Sequence, residues 1–275
     1  MPTPDEQIFP HATGFAASTV ELHQAPQDLT FYAGWFCPFV QRSWICLEEK
    51  GIPYQYKEVN PYKKEKEFLA LNPKGLVPAL EYQGRALYES LIICEFLDDA
   101  YPDHKPSMLP EDPYQKAYAR IWIDFIGKSV LPNFMRLMQA QTEDKRDEAR
   151  KELHAAMQTF AAEAKGPYFL GEQFSLVDAA IVPWILRDYI LHDHRGYHVR
   201  RSVRNGSGMR SRLRSGRAWS RRKAWVITIA LMLNVANFFC STQDADKYEE
   251  IYGRYLRDEA QSEAAKAIRA GKPIP

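Results

Sequence analysis

Twelve residues near the start constrain this chain more than any other stretch: Phe31-Tyr32-Ala33-Gly34-Trp35-Phe36-Cys37-Pro38-Phe39-Val40-Gln41-Arg42. From Leu29 the run is β-branched or aromatic enough for a short buried strand. Gly34 lets the chain turn, and Pro38 suits the first turn of a helix, where its missing N–H costs nothing. Val40, Trp44, Ile45 and Leu47 then recur at helical spacing up to Gly51, a plausible C′ glycine. Cys37 is thereby set where a strand ends and a helix begins.

Unpaired N–H groups and the helix dipole favour negative charge at such a junction. A thiol so placed falls from about 8.5 to a pKa of roughly 3.5–7.5. A depressed, reactive Cys37 is therefore expected, against the alternative of an ordinary buried cysteine. A dithiol site would carry its second cysteine at position 40, which is Val40. The site is monothiol, so a disulfide it attacks has to be resolved by an outside thiol, with glutathione the obvious candidate.

The 275 residues can bury one large core or two modest ones, and 45% hydrophobic with 26% charged residues is a globular composition. The four cysteines, at 37, 46, 94 and 240, match neither a disulfide framework nor a zinc site. No metal is expected. The amino terminus lacks a signal-peptide pattern, so the expected location is cytoplasmic. Residues 199–243 hold ten Lys+Arg and no Asp or Glu; without them 26 basic residues face 35 acidic ones. That acidic remainder argues against a nucleic-acid surface.

In chain order, residues 1–28 read as an N-terminal extension, with prolines and little periodicity, lying over the surface or partly disordered. Residues 29–103 alternate: strand Leu29–Ala33, helix Pro38–Lys50, strand Tyr54–Val59, short helix Lys63–Leu71, then Val77–Tyr82 and Arg85–Tyr88 flanking a Gln83-Gly84 hairpin. Ser90 caps the next helix. The helical crossover makes the first two strands parallel. This is the order of an α/β thioredoxin-like domain. Residues 104–113 read as a linker. The rest, 114–275, is expected to be an all-α domain: Pro113–Ala140, Glu143–Ala164, Ser175–Leu191 with a capping-box-like start at Ser175 and Asp178, and Asp244–Ala270.

Taken together, Cys37-Pro38-Phe39, Asn72-Pro73-Lys74-Gly75-Leu76-Val77-Pro78-Ala79-Leu80, Leu87-Tyr88-Glu89-Ser90 and the helical half resemble the omega-class glutathione transferases. The resemblance implies the cytosolic glutathione transferase fold, glutathione as co-substrate and a homodimer. It further implies that Cys37 forms a mixed disulfide with glutathione. Val77, before a cis Pro78, would pair its backbone with the cysteinyl group, and Glu89 would take the γ-glutamyl ammonium. Ser90 and its helix end would take the neighbouring carboxylate. Lys64 would meet the glycyl carboxylate, with adjacent Lys63 able to substitute, and Phe39 would also touch glutathione. Arg187 would border the second-substrate site. Each has a plainer alternative: an N-cap for Ser90, a solvated face for the lysines, a strand end for Pro78, a structural ion pair for Arg187. Tyr32 is a second candidate activator, of the tyrosine type, although its place before the turn favours burial in the strand. Trp122, Phe125 and Ile126 read as core, and His192, Asp193 and His194 as surface.

Residues 199–242 do not fit. Arginines without period are followed by an apolar run, Ala224–Cys240, of 17 residues, at the short edge for a membrane span. A nucleic-acid arm, a membrane segment and sequence of non-native origin, such as a retained intron, compete; the last is the expectation, and a membrane role is disfavoured. The expected function is glutathione-dependent thiol transfer or reduction on disulfides, glutathionyl adducts, small electrophiles or dehydroascorbate-like substrates. The other class is a non-enzymatic redox or membrane-associating protein of the same architecture, as in the chloride intracellular channel proteins.

Overall fold

Strand β1 (Leu29–Ala33) runs through a four-stranded sheet of order β2-β1-β3-β4 in a computed structural model that describes residues 4–197 and 241–274. It pairs parallel with β2 (Gln55–Glu58) and antiparallel with β3 (Ala79–Tyr82), which turns back into β4 (Arg85–Tyr88). The Gln83-Gly84 hairpin forms as expected, both residues at positive φ (51° and 72°), the requirement of a type I′ turn. Helices α2 (Pro38–Lys50), α3 (Lys66–Leu71) and α4 (Ser90–Ala100) complete this half. Together they make the α/β thioredoxin-like layer.

The second half is helical throughout: α5 (Pro113–Phe125), α6 (Leu131–Gln139), α7 (Glu143–Ala162), α8 (Leu176–Leu186), α9 (Asp188–Arg195), α10 (Ala245–Leu256) and α11 (Glu263–Arg269). Three expected helices are interrupted. Between α5 and α6 lies a π-helical turn, Ile126–Val130, just ahead of Pro132, whose ring clashes with the carbonyl four residues back. The helix after Ser175 pauses at Arg187 (φ −92°, ψ 2°) before α9. The last one stops at Leu256 and restarts at Glu263, with Asp258 at φ 59° between. The capping box at Ser175 and Asp178 is formed, Asp178 also accepting from the Phe169 N–H at 2.9 Å.

Residues expected to lie loosely at the edges are built in. The extension carries α1 (Gly14–Leu22), with Ile8, Ala12 and Ala16 buried. Its hydrophobic pattern misleads because Phe15 and Leu22 face outward while Ala16 and Thr19 face the core. The linker is tied to both halves: Asp98 accepts from the Met108 and Leu109 N–H groups, and Leu176 donates to Met108 O. Of the anomalous run proposed for 199–242, all but Ser241 and Thr242 lie outside the described residues. Those two are buried, and Thr242 O accepts from the Ala16 N–H at 3.0 Å.

The halves join along α2 and α8. Buried Arg42, on α2, donates from Nε to Ala180 O at 3.0 Å and lies 4.5 Å over the Trp184 ring. Burial pulls its pKa down to about 10. Among the described residues no helix is long and apolar enough to cross a membrane.

Candidate active site

A cavity of about 330 Å³ opens between the two halves, with Cys37 in its wall. Cys37 is the N-cap of α2 and Pro38 its first residue, as the sequence requires, and its N–H donates to Gly34 O at 2.9 Å to close the turn. The thiol donates toward Val77 O at 3.8 Å. The Val77–Pro78 peptide is cis.

The expected depression of the thiol pKa is not found. Burial pushes the Cys37 thiol up, although the N–H groups of Val40 and Phe39 and the charges of Arg187 and Arg42 pull the other way. The helix end does stabilise a thiolate as argued from the sequence. Desolvation, which that argument left out, outweighs it.

Phe39, Lys64, Val77, Pro78, Glu89 and Ser90 all line the same cavity. Phe39 meets Trp184 edge-on, 5.3 Å between centroids. Lys64 crosses beneath the Asn72–Gly75 turn and donates to Lys74 O at 3.5 Å, whereas Lys63 does not reach the lining. Gly75 sits at φ 62°, and a Cβ there would meet Lys64 Cδ at 2.7 Å, so the turn and the lysine are fitted to one another.

Ser90 is not the helix cap anticipated for it. Glu89 holds the N-cap position of α4 and Ser90 is the first helical residue. Glu89 takes φ 74°, a region L side chains rarely enter, at a cost of about 1–3 kcal/mol. Such strain persists only where the surroundings impose it, here at a residue facing the cavity. Its carboxylate pairs with Lys74, Oε1 to Nζ 2.7 Å, both side chains half exposed.

One expectation is corrected, and one alternative is set aside. Arg187 does not reach the cavity: it is 1% exposed, enclosed by protein oxygens. It donates to Tyr252 Oη, Gln41 Oε1 and Pro183 O, each at 2.6 Å, to Tyr248 Oη at 3.1 Å and to Phe36 O at 3.2 Å. It therefore stands behind the wall and braces Tyr252, which does line the cavity. A guanidinium so fully satisfied has no donor left for a substrate. Nor, among the described residues, does it form the ion pair offered as its plainer alternative. Tyr32, the alternative activator, points elsewhere, donating to Glu81 Oε2 at 2.8 Å, and burial beside that carboxylate pushes its hydroxyl up to about 12.

Several lining residues were not singled out from sequence. Lys74 stood in the quoted turn without a role. Trp184, Met135, Ile251, Tyr252 and Tyr255 form an apolar wall from the helical half. The spacing of Ile251, Tyr252 and Tyr255 is that of a buried helix face, and only the three-dimensional packing shows that part of that face meets a cavity. Trp122, Phe125 and Ile126 are core or packed against it, and Trp122 meets Phe160 and Phe169. His192 pairs with Asp193 at 2.6 Å, and the described residues contain no cluster of three or more metal-ligating side chains.

Two family models match: glutathione S-transferase, N-terminal domain, over residues 36–100, and glutathione S-transferase, C-terminal domain, over 143–194. Glutathione S-transferase omega-1 of Sus scrofa is 39% identical over 161 residues, 57% of this chain and 65% of its own length. The chain thus spans just under two thirds of that relative. Among solved structures, glutathione transferase Omega 3C from Trametes versicolor is 54% identical, covering 92% of this chain and all of its own, with a TM-score of 0.78. Rice GST1 in complex with glutathione is 25% identical, covering 83% and 96%, with a TM-score of 0.67.

Proposed function

The chain belongs to the omega class of glutathione transferases, and on that footing we propose that it catalyses glutathione-dependent thiol transfer at Cys37. The supporting observation is convergence: one monothiol at a helix N-terminus shares a cavity with Val77, Glu89, Ser90 and Lys64. These offer, in turn, a backbone edge, an anion, a helix end and a cation. That set complements a tripeptide carrying an amide backbone, an ammonium and two carboxylates.

In this reading glutathione lies with its γ-glutamyl end at Glu89 and Ser90, its cysteinyl group along Val77 and its glycyl carboxylate toward Lys64. The Cys37 thiolate attacks the sulfur of a disulfide or glutathionyl adduct, RS–SG. A new Cys37–SG bond forms, the RS–SG bond breaks, and the departing thiolate takes up a proton. A second glutathione thiolate then attacks the mixed disulfide, releasing glutathione disulfide and returning Cys37. Ionisation is tied to binding, because Val77 O, which holds the thiol, is also the acceptor a bound cysteinyl N–H would use. Once that N–H takes the carbonyl, the neutral thiol loses its partner.

The second substrate meets Trp184, Tyr252, Tyr255 and Met135. Disulfides, glutathionyl adducts and dehydroascorbate-like molecules are the proposed classes, and a homodimer in the cytoplasm the proposed state. The test is a glutathione-coupled reductase assay with mass spectrometry on the product. A glutathione adduct at Cys37 that disappears on adding excess glutathione is expected. Full turnover without any adduct at Cys37 would sink the proposal.

A further inference from the structure

We infer that Lys74 is a resident ammonium: it occupies the Glu89 carboxylate in the chain by itself and is displaced when the ammonium of glutathione arrives. The inference rests on the glutathione pose proposed above. It adds a residue that sets how tightly, and how selectively, that pose is held.

Three observations carry it. First, Lys74 Nζ is 2.7 Å from Glu89 Oε1, the distance a bound ammonium would take. The group proposed to recognise the ligand's charge already has a charge of that kind on it. Second, Lys74 is fixed at its base and exposed at its tip. Its N–H donates to Asn72 Oδ1 at 3.1 Å, and Asn72, fully buried, donates from Nδ2 to Leu76 O at 2.8 Å. The ammonium is half exposed and rests 5.0 Å over the Tyr88 ring. Third, Glu89 is held at φ 74°, which fixes the direction in which its side chain leaves the backbone toward the Lys74 side of the cavity mouth.

The pair is weak enough to exchange. Half-exposed ion pairs shift an equilibrium by no more than about fivefold. Glutathione's ammonium comes with a neighbouring carboxylate held at Ser90, so it competes with help that Lys74 lacks. Two consequences follow. Lys74 lowers the apparent affinity for glutathione, since it must be moved aside. It also keeps Glu89 paired when a ligand lacks the ammonium, sparing such ligands the penalty of an uncompensated carboxylate. Lys74 therefore makes the site less selective for a free amino group.

The test is a binding cycle by calorimetry on the full chain, with S-methylglutathione and its N-acetyl derivative as probes. Both are inert toward Cys37. Lys74→Met is expected to tighten S-methylglutathione about two- to fivefold and to leave the N-acetyl probe no tighter, so the ratio between them widens. In a Glu89→Gln background the Lys74→Met change should have no effect on either probe. Weaker or unchanged S-methylglutathione binding in Lys74→Met would overturn the inference, as would equal tightening in both backgrounds. Failure of the underlying pose looks different: there Glu89→Gln alone leaves S-methylglutathione binding unchanged.

Discussion

Two helix N-termini open into the same cavity, and each presents an ionisable group at its N-cap: Cys37 on α2 and Glu89 on α4. Neither side chain caps its own helix. Both stand where the helix dipole favours an anion. They differ in surroundings. The Cys37 thiol is pushed up by burial, whereas half-exposed Glu89 keeps water and a lysine for company. A helix end contributes about 0.3–1 kcal/mol to an exposed charge, and removing a charge from water costs more than that. The same backbone device therefore faces no desolvation to overcome in one corner and is outweighed by it in the other, where the thiol is pushed up.

The largest effect that would break this comparison is at the thiol. Cys37→Ser is expected to abolish disulfide reduction while glutathione affinity stays within about tenfold, roughly 1.4 kcal/mol. Retained turnover in the coupled assay would remove Cys37 from the mechanism. At the other corner, Glu89→Ala would leave the γ-glutamyl ammonium of the proposed pose without a counter-charge, a loss of roughly 1.5–3 kcal/mol. The KM for glutathione should rise about tenfold or more, and an unchanged KM would mean another pose.

Glu58 sharpens the rule that burial defeats local donors. It accepts from the Trp35 N–H at 3.0 Å, yet burial raises its pKa from 4.5 to about 8. The folded chain thus holds a proton that the unfolded chain releases. Below 4.5 both states are protonated; between 4.5 and about 8 the folded state loses stability as pH rises. Glu58→Gln removes that loss. Its melting temperature should exceed the parent's at pH 8.5, by about 2–4 °C per kcal/mol recovered, and match it at pH 4. A gain of the same size at both pH values would show that the effect is not ionisation.

The smallest expected effect concerns the thiol's titration. Because the folded Cys37 pKa is raised, its alkylation by iodoacetamide, followed by peptide mass spectrometry, should climb through alkaline pH with no plateau near 7. Adding S-methylglutathione, which in the proposed pose would engage Val77 O, should move the onset to lower pH. A plateau already reached at pH 6 in the protein alone would restore the low-pKa thiolate expected from helix position.

Local signals were legible from the sequence, and signals set by packing were not. The strand–turn–helix around Cys37, the hairpin at Gln83-Gly84 and the capping box at Ser175 each follow from a few neighbouring residues, and each is present. The residues named for glutathione from the family resemblance share one cavity. Arg187 was misplaced because spacing on a helix tells which face a residue occupies but not how deep that face lies. The direction of the Cys37 shift was missed for the same reason, burial being a sum over residues far apart in the chain. In α1 the pattern inverts, Phe15 and Leu22 lying outside and Ala16 inside, because that helix docks through backbone hydrogen bonds and small side chains.

The extension's attachment also orders events in time. Thr13 donates to Gln243 across 230 positions, and Gln41, one turn beyond Cys37, donates to Ser241 across 200. A ribosome, at about 5–20 residues per second, releases the thiol-bearing corner some 200 residues ahead of those partners. The first-made part of the site is then the last to be completed. Until Ser241 to Gln243 emerge, the amides of Ala16 and Gln41 lack their final acceptors. Contacts so far apart in sequence also slow folding. Cys37 thus spends its synthesis in an unfinished wall, exposed to whatever thiols and oxidants surround the nascent chain.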